Sequence, residues 1–279
     1  MKYIKFLALL LATMLLLASC GPITGTGEEG EGTNPPDTAT DPDNSTTEEF
    51  DTPHGRMSGL YNASTGALKY SWEELLARGY VVVQDTVVTK SISYIRGDLY
   101  LPNTVSAVGK KAFAGCTGLL RLYTGNGVTT IGSGAFSGCT GLKEVNLGAL
   151  VTNISDSAFS GCTGLDKINI PDCVTNISAK AFAGCTGLID VIIGKGVTHI
   201  GDSAFKGCTG IRTITLGNGI TFIGANAFAE CKVIYFVDFI GYTREWNAIT
   251  FGKNNTYITG ALRQTLDEPF QNVEKPSDK

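Results

Sequence analysis

The chain has 279 residues, of which 43% are hydrophobic and 17% charged, and its formal net charge is −4. Nine acidic residues lie between positions 20 and 55, and residues 56–279 carry a formal net charge of only +3. No basic stripe points to a nucleic-acid partner. Beyond the N-terminal segment, no apolar run approaches the roughly 18 residues that indicate a membrane-spanning helix.

Residues 1–19 have the pattern of a secretory signal. Lys2 and Lys5 precede an apolar run over residues 6–17 that is short for a membrane helix, and small residues follow it. The segment ends in Leu17-Ala18-Ser19-Cys20, which resembles the lipobox of bacterial lipoproteins. That resemblance implies that Cys20 becomes the lipidated first residue of the mature chain, held at the membrane by several acyl chains. An ordinary signal peptide with an incidental cysteine is the alternative.

Residues 20–55 are predicted to form an acidic, disordered tether. They contain no Lys or Arg and much Gly, Thr, Pro and Asn, so little apolar surface offsets the entropy of ordering. Acidic residues soon after a lipidated cysteine resemble the export tags of surface-exposed lipoproteins in some Gram-negative anaerobes. Asp37-Thr38-Ala39 resembles an O-glycosylation acceptor of the same group. A solvated spacer explains the composition without either signal.

The middle of the chain repeats one unit every 23 residues. AFAGCTGL at 112–119 returns as AFSGCTGL at 135–142 and 158–165, and a degraded copy, AFAECKVI, closes the series at 227–234. A fixed period of about 20–50 residues is typical of a solenoid. The phenylalanines and cysteines of the unit form two in-register ladders: Phe113, Phe136, Phe159, Phe182, Phe205 and Phe228, and Cys116, Cys139, Cys162, Cys185, Cys208 and Cys231.

Apolar spacing within the unit predicts its local structure. Two apolar positions spaced by two, such as Ile168 and Ile170, predict a strand with its apolar face inward, and seven such segments predict seven rungs. A second apolar pair spaced by three, such as Val174 and Ile177, follows a turn. Ala-Phe is then expected in one or two helical turns. The glycine two residues after each cysteine is expected to have the positive φ that ends a helix: Gly118, Gly141, Gly164, Gly187 and Gly210.

This pattern resembles the BspA-like branch of the leucine-rich repeats, whose units read roughly L-x-x-I-x-I-P-x-x-V-T-x-I-G-x-x-A-F-x-x-C. Residues 165–185, LDKINIPDCVTNISAKAFAGC, match nearly every fixed position, with Ser178 in place of Gly. The resemblance extends over residues 99–249. It implies an α/β repeat solenoid, a right-handed superhelix with a parallel concave β-sheet and short helical turns or strands on the convex side, with its repeats at 97–235.

Caps are predicted at both ends, because each rung buries its apolar face only against its neighbours. The N-terminal cap is placed at 56–96, with a helix over 71–76 and strands over 80–84 and 86–88. The C-terminal cap is placed at 236–260. Its residues 241–249 resemble a closing segment common in this family, in which Trp246 covers the last rung. Residues 261–279 are predicted to be a loose polar tail.

The cysteine ladder has three interpretations. A zinc site needs four converging ligands, whereas these lie in a line without a C-x₂-C pair, so no metal is expected. Disulfides suit an oxidising compartment, but parallel Cβ atoms about 4.8 Å apart exceed the roughly 3.5–4.5 Å that a disulfide prefers. The favoured interpretation is a small buried hydrophobe whose thiol donates weakly to carbonyls between rungs. Cys173, in a turn outside the ladder, is the candidate accessible thiol.

No catalytic constellation is found. His54 lies in the tether and His199 at a variable rung position, and there is no phosphate-binding loop, zinc-protease signature or serine with a credible partner. We therefore expect neither enzyme activity nor a cofactor.

Outward positions of the longer strands vary between units and form the candidate binding face. One row, Arg121, Glu144, Lys167 and Asp190, alternates in charge and is expected to stabilise the sheet through cross-strand pairs. Aromatic and apolar residues gather mainly towards the ends of the sheet. The candidate binding residues are Tyr100, Leu120, Arg121, Tyr123, Ile189, Ile192 and Tyr235.

The family resemblance implies an outer-membrane lipoprotein exposed at the bacterial surface. Its implied role is adhesin-like binding of host proteins such as extracellular matrix components. The alternative is a glycan-binding surface component, for which stacked tyrosines would be the expected feature.

Overall fold

The computed structural model describes residues 72–77, 79, 81–91 and 95–267. The predicted signal, the tether and Cys20 lie outside these residues. The described part is a parallel β-solenoid of about eight turns with little helix.

Its elements are short and follow the repeat. The helices are α1 (Trp72–Ala77), α2 (Thr243–Ala248) and α3 (Thr256–Thr259). The strands are β1 (Val81–Gln84), β2 (Val87–Ser91), β3 (Arg96–Tyr100), β4 (Ala107–Val108), β5 (Gly118–Tyr123), β6 (Thr130–Ile131), β7 (Glu144–Asn146), β8 (Asn153–Ile154), β9 (Lys167–Ile170), β10 (Asn176–Ile177), β11 (Asp190–Ile193), β12 (His199–Ile200), β13 (Thr213–Gly217), β14 (Phe222–Ile223), β15 (Phe236–Ile240), β16 (Thr250–Phe251) and β17 (Leu262–Gln264).

Two faces of the solenoid carry sheets. The convex sheet, named as in the sequence analysis, has nine strands in the order β1-β2-β4-β6-β8-β10-β12-β14-β16. The concave sheet consists of the longer strands in two segments, β3-β5-β7 and β9-β11-β13-β15-β17. Pairing is parallel throughout except between β1 and β2, and partners within the repeats lie 23 residues apart, as Asp190 and Thr213 do.

The core between the sheets is a column of phenylalanine rings. Neighbouring rings from Phe113 to Phe228 are stacked with centroids 5.1–5.3 Å apart, and all six side chains are fully buried. Apolar strand residues such as Ile168 and Ile177 close the core from the two sides. Because the column has the period of the sequence, the 23-residue spacing places equivalent rings on top of one another.

The thiol ladder lies beside this column. Each cysteine from Cys139 to Cys231 is buried and donates from Sγ to the carbonyl oxygen of the phenylalanine one rung earlier, at 3.0–3.2 Å. The bond from Cys162 to Phe136, for example, is 3.2 Å long. These bonds connect successive rungs.

The segments around Ala-Phe are turns, so the expectation of helical turns there is not confirmed. In one unit, Ala135 N–H donates to Gly132 and Cys139 N–H donates to Phe136, which are bonds between residues three apart. The N–H of Phe136 instead donates to Ala158 of the next rung at 2.8 Å. Since a helix needs these N–H groups within its own segment, bonding between rungs excludes helix here.

Positive φ occurs at the glycine just before each cysteine, and the expectation for the glycine two residues after it is wrong. Gly115, Gly138, Gly161, Gly184 and Gly207 have φ of 72–74°. The later glycines are required for another reason. A Cβ at Gly141 would clash with the carbonyl oxygen of Thr117 in the preceding rung.

The solenoid continues past the predicted repeat boundary at 235. β15 pairs in register with β13, and β17 pairs with β15 and adds a concave strand to the seven predicted. The prediction of a loose tail from residue 261 is therefore wrong for 261–267, where Ala261 and Thr265 are buried. Trp246 of α2 is also buried, with its ring edge-on to Phe239 at 5.5 Å, so it covers the last rungs.

At the N-terminal end, the described residues contain the expected helix and strands. The helix predicted over 71–76 is α1, which buries Leu75. β1 and β2 form an antiparallel hairpin, and β2 begins the convex sheet by pairing in parallel with β4.

Candidate functional site

The convex sheet presents one uniform row of hydroxyl groups. The row is Thr129, Thr152, Thr175, Thr198 and Thr221, all exposed. Each Oγ1 donates to the carbonyl oxygen of the residue 23 positions earlier, at 3.1–3.3 Å. These hydroxyls therefore bond rung to rung and differ little from one unit to the next.

A stacked pair of tyrosines stands at the N-terminal end of the concave sheet. Tyr100 on β3 and Tyr123 on β5 are register partners, their ring centroids are 4.4 Å apart, and their planes differ by 3°. Tyr100 is 60% exposed. The centroid spacing is close to the roughly 4.8 Å between neighbouring strands, so each ring covers one face of the other. Leu120 lies half-buried in the same strand as Tyr123.

Arg121, in the row beside the tyrosines, is held by a carboxylate that the sequence analysis missed. Its Nε donates to Asp98 Oδ1 at 2.8 Å and its Nη2 to Asp98 Oδ2 at 2.5 Å, which is a bidentate pair. The hydrogen bond and charge of Asp98 raise the pKa of Arg121. Asp98 lies 23 residues before Arg121, so extending the row by one unit finds it.

The expected ladder of alternating charges does not form. Arg121 pairs with Asp98 on β3 and not with Glu144 on β7. Glu144 accepts instead from Asn146 Nδ2 at 2.8 Å, and Asp190 accepts from the hydroxyl of Thr213. Among the residues that the structure describes, neither Glu144 nor Lys167 makes an ion pair. Within this row, the one ion pair among the described residues is that of Arg121 with Asp98.

The other predicted binding residues lie elsewhere on the sheet. Ile189, 43% exposed, and the half-buried Ile192 belong to the middle rungs around β11. Tyr235, 57% exposed, lies near the C-terminal end, and Arg212 separates it from Ile189 in the same row. The structure thus brings Tyr100, Leu120, Arg121 and Tyr123 together but not the remaining three.

The concave sheet is interrupted between β7 and β9, which the sequence analysis did not predict. These strands belong to separate sheet segments, although the convex strands of the same rungs, β8 and β10, are paired. The interruption forms an open depression of about 380 Å³. It is lined by Lys143, Glu144, Val145, Asn146, Asp166, Lys167 and Asn169.

Pro171 and Thr124 alter the backbone bonding on the two sides of the rung that contains β7. Gly194 N–H donates to Ile170 at 2.8 Å across the β9–β11 junction, and Pro171 occupies the equivalent place one rung earlier. Proline has no N–H, so the matching bond to Leu147 cannot form. On the other side, the hydroxyl of Thr124 accepts from Gly148 N–H at 2.8 Å and so binds this rung to its N-terminal neighbour. Pro171 therefore removes one of the backbone bonds that would join these two rungs.

The cysteine side chains give no indication of a reactive or metal-binding site. None of the cysteines that the structure describes is in a disulfide, and Cys173 is half-buried outside the ladder. Burial raises the pKa of the Cys231 thiol to about 12, so it is protonated at neutral pH. Within the described ranges, no three His, Cys, Asp or Glu side chains are grouped as metal ligands, and no helix is both long and apolar enough to cross a membrane.

In-phase parallel rungs, a buried phenylalanine column and a sheet of variable outward residues define a leucine-rich repeat solenoid. The family model described as "BspA type Leucine rich repeat region" matches residues 106–235 in six copies. These residues are therefore a BspA-type leucine-rich repeat region, as the sequence predicts. BspA-like proteins are bacterial surface proteins, and leucine-rich repeat proteins generally bind other proteins and are typically not enzymes.

Solved bacterial structures resemble the chain. A leucine-rich repeat protein of T. pallidum is 25% identical with a TM-score of 0.53, over 68% of this chain and 85% of that one. A leucine-rich repeat protein of Eubacterium ventriosum is 19% identical with a TM-score of 0.47, over 70% of this chain and 53% of that one. One from Bacteroides ovatus is 17% identical with a TM-score of 0.36, over 64% and 66% of the two chains. The comparison with curated proteins gives no match.

Proposed function

We propose that the chain is a lipid-anchored protein of the bacterial outer surface that binds a host protein through the N-terminal end of its concave sheet. The supporting observation is the contrast between the two faces. The convex hydroxyl row repeats with its bonds satisfied between rungs, whereas the outward concave positions vary along the stack. Recognition of one partner requires such variation.

Tyr100, Tyr123 and Arg121 have the properties of binding hot spots. Tyrosine and arginine are enriched among interface residues whose loss weakens binding most. Here the rings are stacked and the guanidinium is fixed by Asp98, so little side-chain freedom is lost when a partner binds. The exposed ring of Tyr100 is the contact we expect to be central.

The test uses immobilised extracellular matrix proteins as the partners. The double variant Tyr100→Ala, Tyr123→Ala should bind its matrix partner more weakly by about 2 kcal/mol or more. Thr152→Ala with Thr175→Ala is the convex-face control and should bind like the parent. Circular dichroism checks that both variants fold equally. Equal binding by the two variants would show that the N-terminal concave end is not the interface.

The anchor is tested separately. Cys20→Ser should move the protein from the membrane fraction to the soluble fraction, since acylation of Cys20 is the proposed membrane attachment. An ordinary signal peptide predicts the same fractionation for parent and variant, and that result would remove the lipoprotein proposal.

Glycan binding is the second candidate function, and the stacking of Tyr100 on Tyr123 favours it. The stacking also removes one face of each ring from contact with a sugar. A glycan therefore finds less aromatic surface here than the two separate rings would offer.

A further inference from the structure

We propose that the depression between β7 and β9 is a second binding site, which takes an uncharged, hydroxyl-rich ligand of the oligosaccharide class. It is independent of the host-protein interface proposed at the tyrosine pair. The inference rests on the shape of the depression, the balance of its charges and the bonds its side chains leave unused.

The shape comes from a local break in a regular stack. Within the C-terminal concave segment, neighbouring strands are paired in register, as β9 and β11 are. At the β7–β9 junction the pairing is lost and about 380 Å³ opens. This volume lies in the range of roughly 300–1,000 Å³ that small-molecule sites occupy. The depression is therefore large enough to hold a small-molecule ligand.

Six of the seven lining residues are polar, and their formal charges balance. Lys143 and Asp166 occupy one outward row, and Glu144 and Lys167 occupy the next, so two positive charges oppose two negative ones. An anionic polymer or a basic peptide gains nothing from such a balanced surface. A neutral ligand is not repelled by it.

The donors and acceptors of the lining match hydroxyl groups. Asn146 and Asn169 each carry an amide with two N–H donors and a carbonyl acceptor, and the carboxylates and ammonium groups beside them accept and donate respectively. A sugar hydroxyl both donates and accepts, so it can bond to adjacent members of this set. All six polar residues of the lining are exposed to solvent.

These polar groups are largely available. Glu144 accepts from Asn146, but no ion pair joins Lys143 to Asp166 or Glu144 to Lys167 within the part of the chain that the structure describes. Elsewhere on the same sheet, Arg121 and Asp98 are paired bidentately. The lining also contains no Trp, Tyr or Arg, the residues that dominate protein interfaces. An oligosaccharide fits this chemistry better than a protein does.

The experiment is affinity electrophoresis of the full chain through gels that contain one polysaccharide each. The neutral probes are mannan, dextran and a linear β-glucan, and hyaluronan is the anionic probe. We expect at least one neutral probe to retard the protein. Asn146→Ala with Asn169→Ala should raise the apparent Kd about tenfold or more by removing two amides. Thr152→Ala with Thr175→Ala lies on the convex face of the same two rungs and should leave the Kd unchanged.

Several results would overturn the inference. These are no retardation by any neutral probe, retardation by hyaluronan alone, or equal retardation of the asparagine variant and the parent. The variant Tyr100→Ala, Tyr123→Ala separates this site from the proposed protein interface. It should keep its polysaccharide binding, and loss of that binding in the tyrosine variant alone would place any glycan site at the tyrosines.

Discussion

The two sheets of the solenoid are built from the same repeats but differ in continuity. The convex sheet runs without interruption through nine strands, and its row of threonines is bonded from rung to rung. The concave sheet is divided into segments of three and five strands, and its outward residues vary along the stack. The short convex strands carry the regularity of the stack, which leaves the concave strands able to vary and even to separate.

The comparison shows that two rungs can stack even where their concave strands are not paired. At the interruption, the phenylalanine column passes from Phe159 to Phe182 at 5.3 Å, the same spacing as between Phe136 and Phe159. The thiol of Cys185 also bonds across it, to the carbonyl oxygen of Phe159 at 3.1 Å. The core and convex sheet thus hold two rungs together where Pro171 removes a concave bond.

The largest expected effect comes from the core that both sheets share. Phe159→Ala should lower the free energy of unfolding by about 3–5 kcal/mol, because it removes a fully buried ring and leaves a cavity. Urea unfolding measures the change. The control is Phe222→Ala on the convex face, whose ring is 36% exposed and whose loss should cost about 1 kcal/mol or less. Similar losses for the two variants would contradict a shared core.

The thiol ladder should give the next largest effect. Cys162→Ala removes a buried bond to the Phe136 carbonyl and should cost about 1–2 kcal/mol in urea unfolding. Cys173→Ala, outside the ladder, should cost less. Mass spectrometry of the intact protein should find the ladder thiols without disulfides and open to alkylation only after denaturation. Native disulfides between rungs would refute this account.

Two aspartates should change stability with pH in opposite directions. Burial raises the pKa of Asp238 on the concave sheet above the ordinary value of 3.8, so the folded state binds this proton more tightly than the unfolded state does. Its contribution is complete below the unfolded-state pKa and is lost as pH rises through the folded-state pKa. We therefore expect Asp238→Asn to be more stable than the parent at pH 7, with the gain vanishing at low pH.

Asp267 provides the comparison of opposite sign. The backbone N–H of Thr243 donates to it and lowers its pKa below 3.8. Its contribution is present above the unfolded-state pKa and is lost as pH falls through the folded-state pKa. Asp267→Asn should therefore be less stable than the parent at pH 7. Thermal unfolding from pH 3 to 7 measures both variants, and shifts of equal sign would contradict the assignment.

The smallest effect on stability is expected for Pro171→Gly, which tests whether the missing proline N–H causes the interruption of the concave sheet. Pro171→Gly supplies the missing N–H, whose bond to Leu147 is worth about 0.5–1.5 kcal/mol, while the added backbone freedom of glycine costs about 0.4–1 kcal/mol. Stability should therefore change by less than about 1 kcal/mol. Hydrogen exchange should show protection of the new amide at 171 and, equally, of the Gly194 amide, which is bonded to Ile170.

Pro102→Gly is the matched control, because β3 is the outermost strand of the N-terminal concave segment and no described concave strand lies beyond it. Its new amide should exchange quickly. Fast exchange at both positions would mean that the missing proline N–H does not cause the interruption.

The sequence by itself determined what repeats. The 23-residue period predicted parallel rungs, the phenylalanine column and the inward strand residues, because equivalent positions in a solenoid must stack. The closing segment with Trp246 could be placed for the same reason, since the last rung needs a cover. The positions that recur in every unit also predicted the repeat family, whose model matches residues 106–235.

Features that depend on contacts with a neighbouring rung became known only from the tertiary structure. Ala-Phe segments are turns because Phe136 donates to the next rung, and Gly141 is needed because the Thr117 carbonyl comes too close for a Cβ. The pairing of Arg121 with Asp98, the strand at 262–264 and the depression beside Pro171 likewise depend on which neighbour supplies the bond. The sequence pattern predicts the order of the rungs. The hydrogen bonds between rungs depend on the distances between their backbones, which only the folded structure defines.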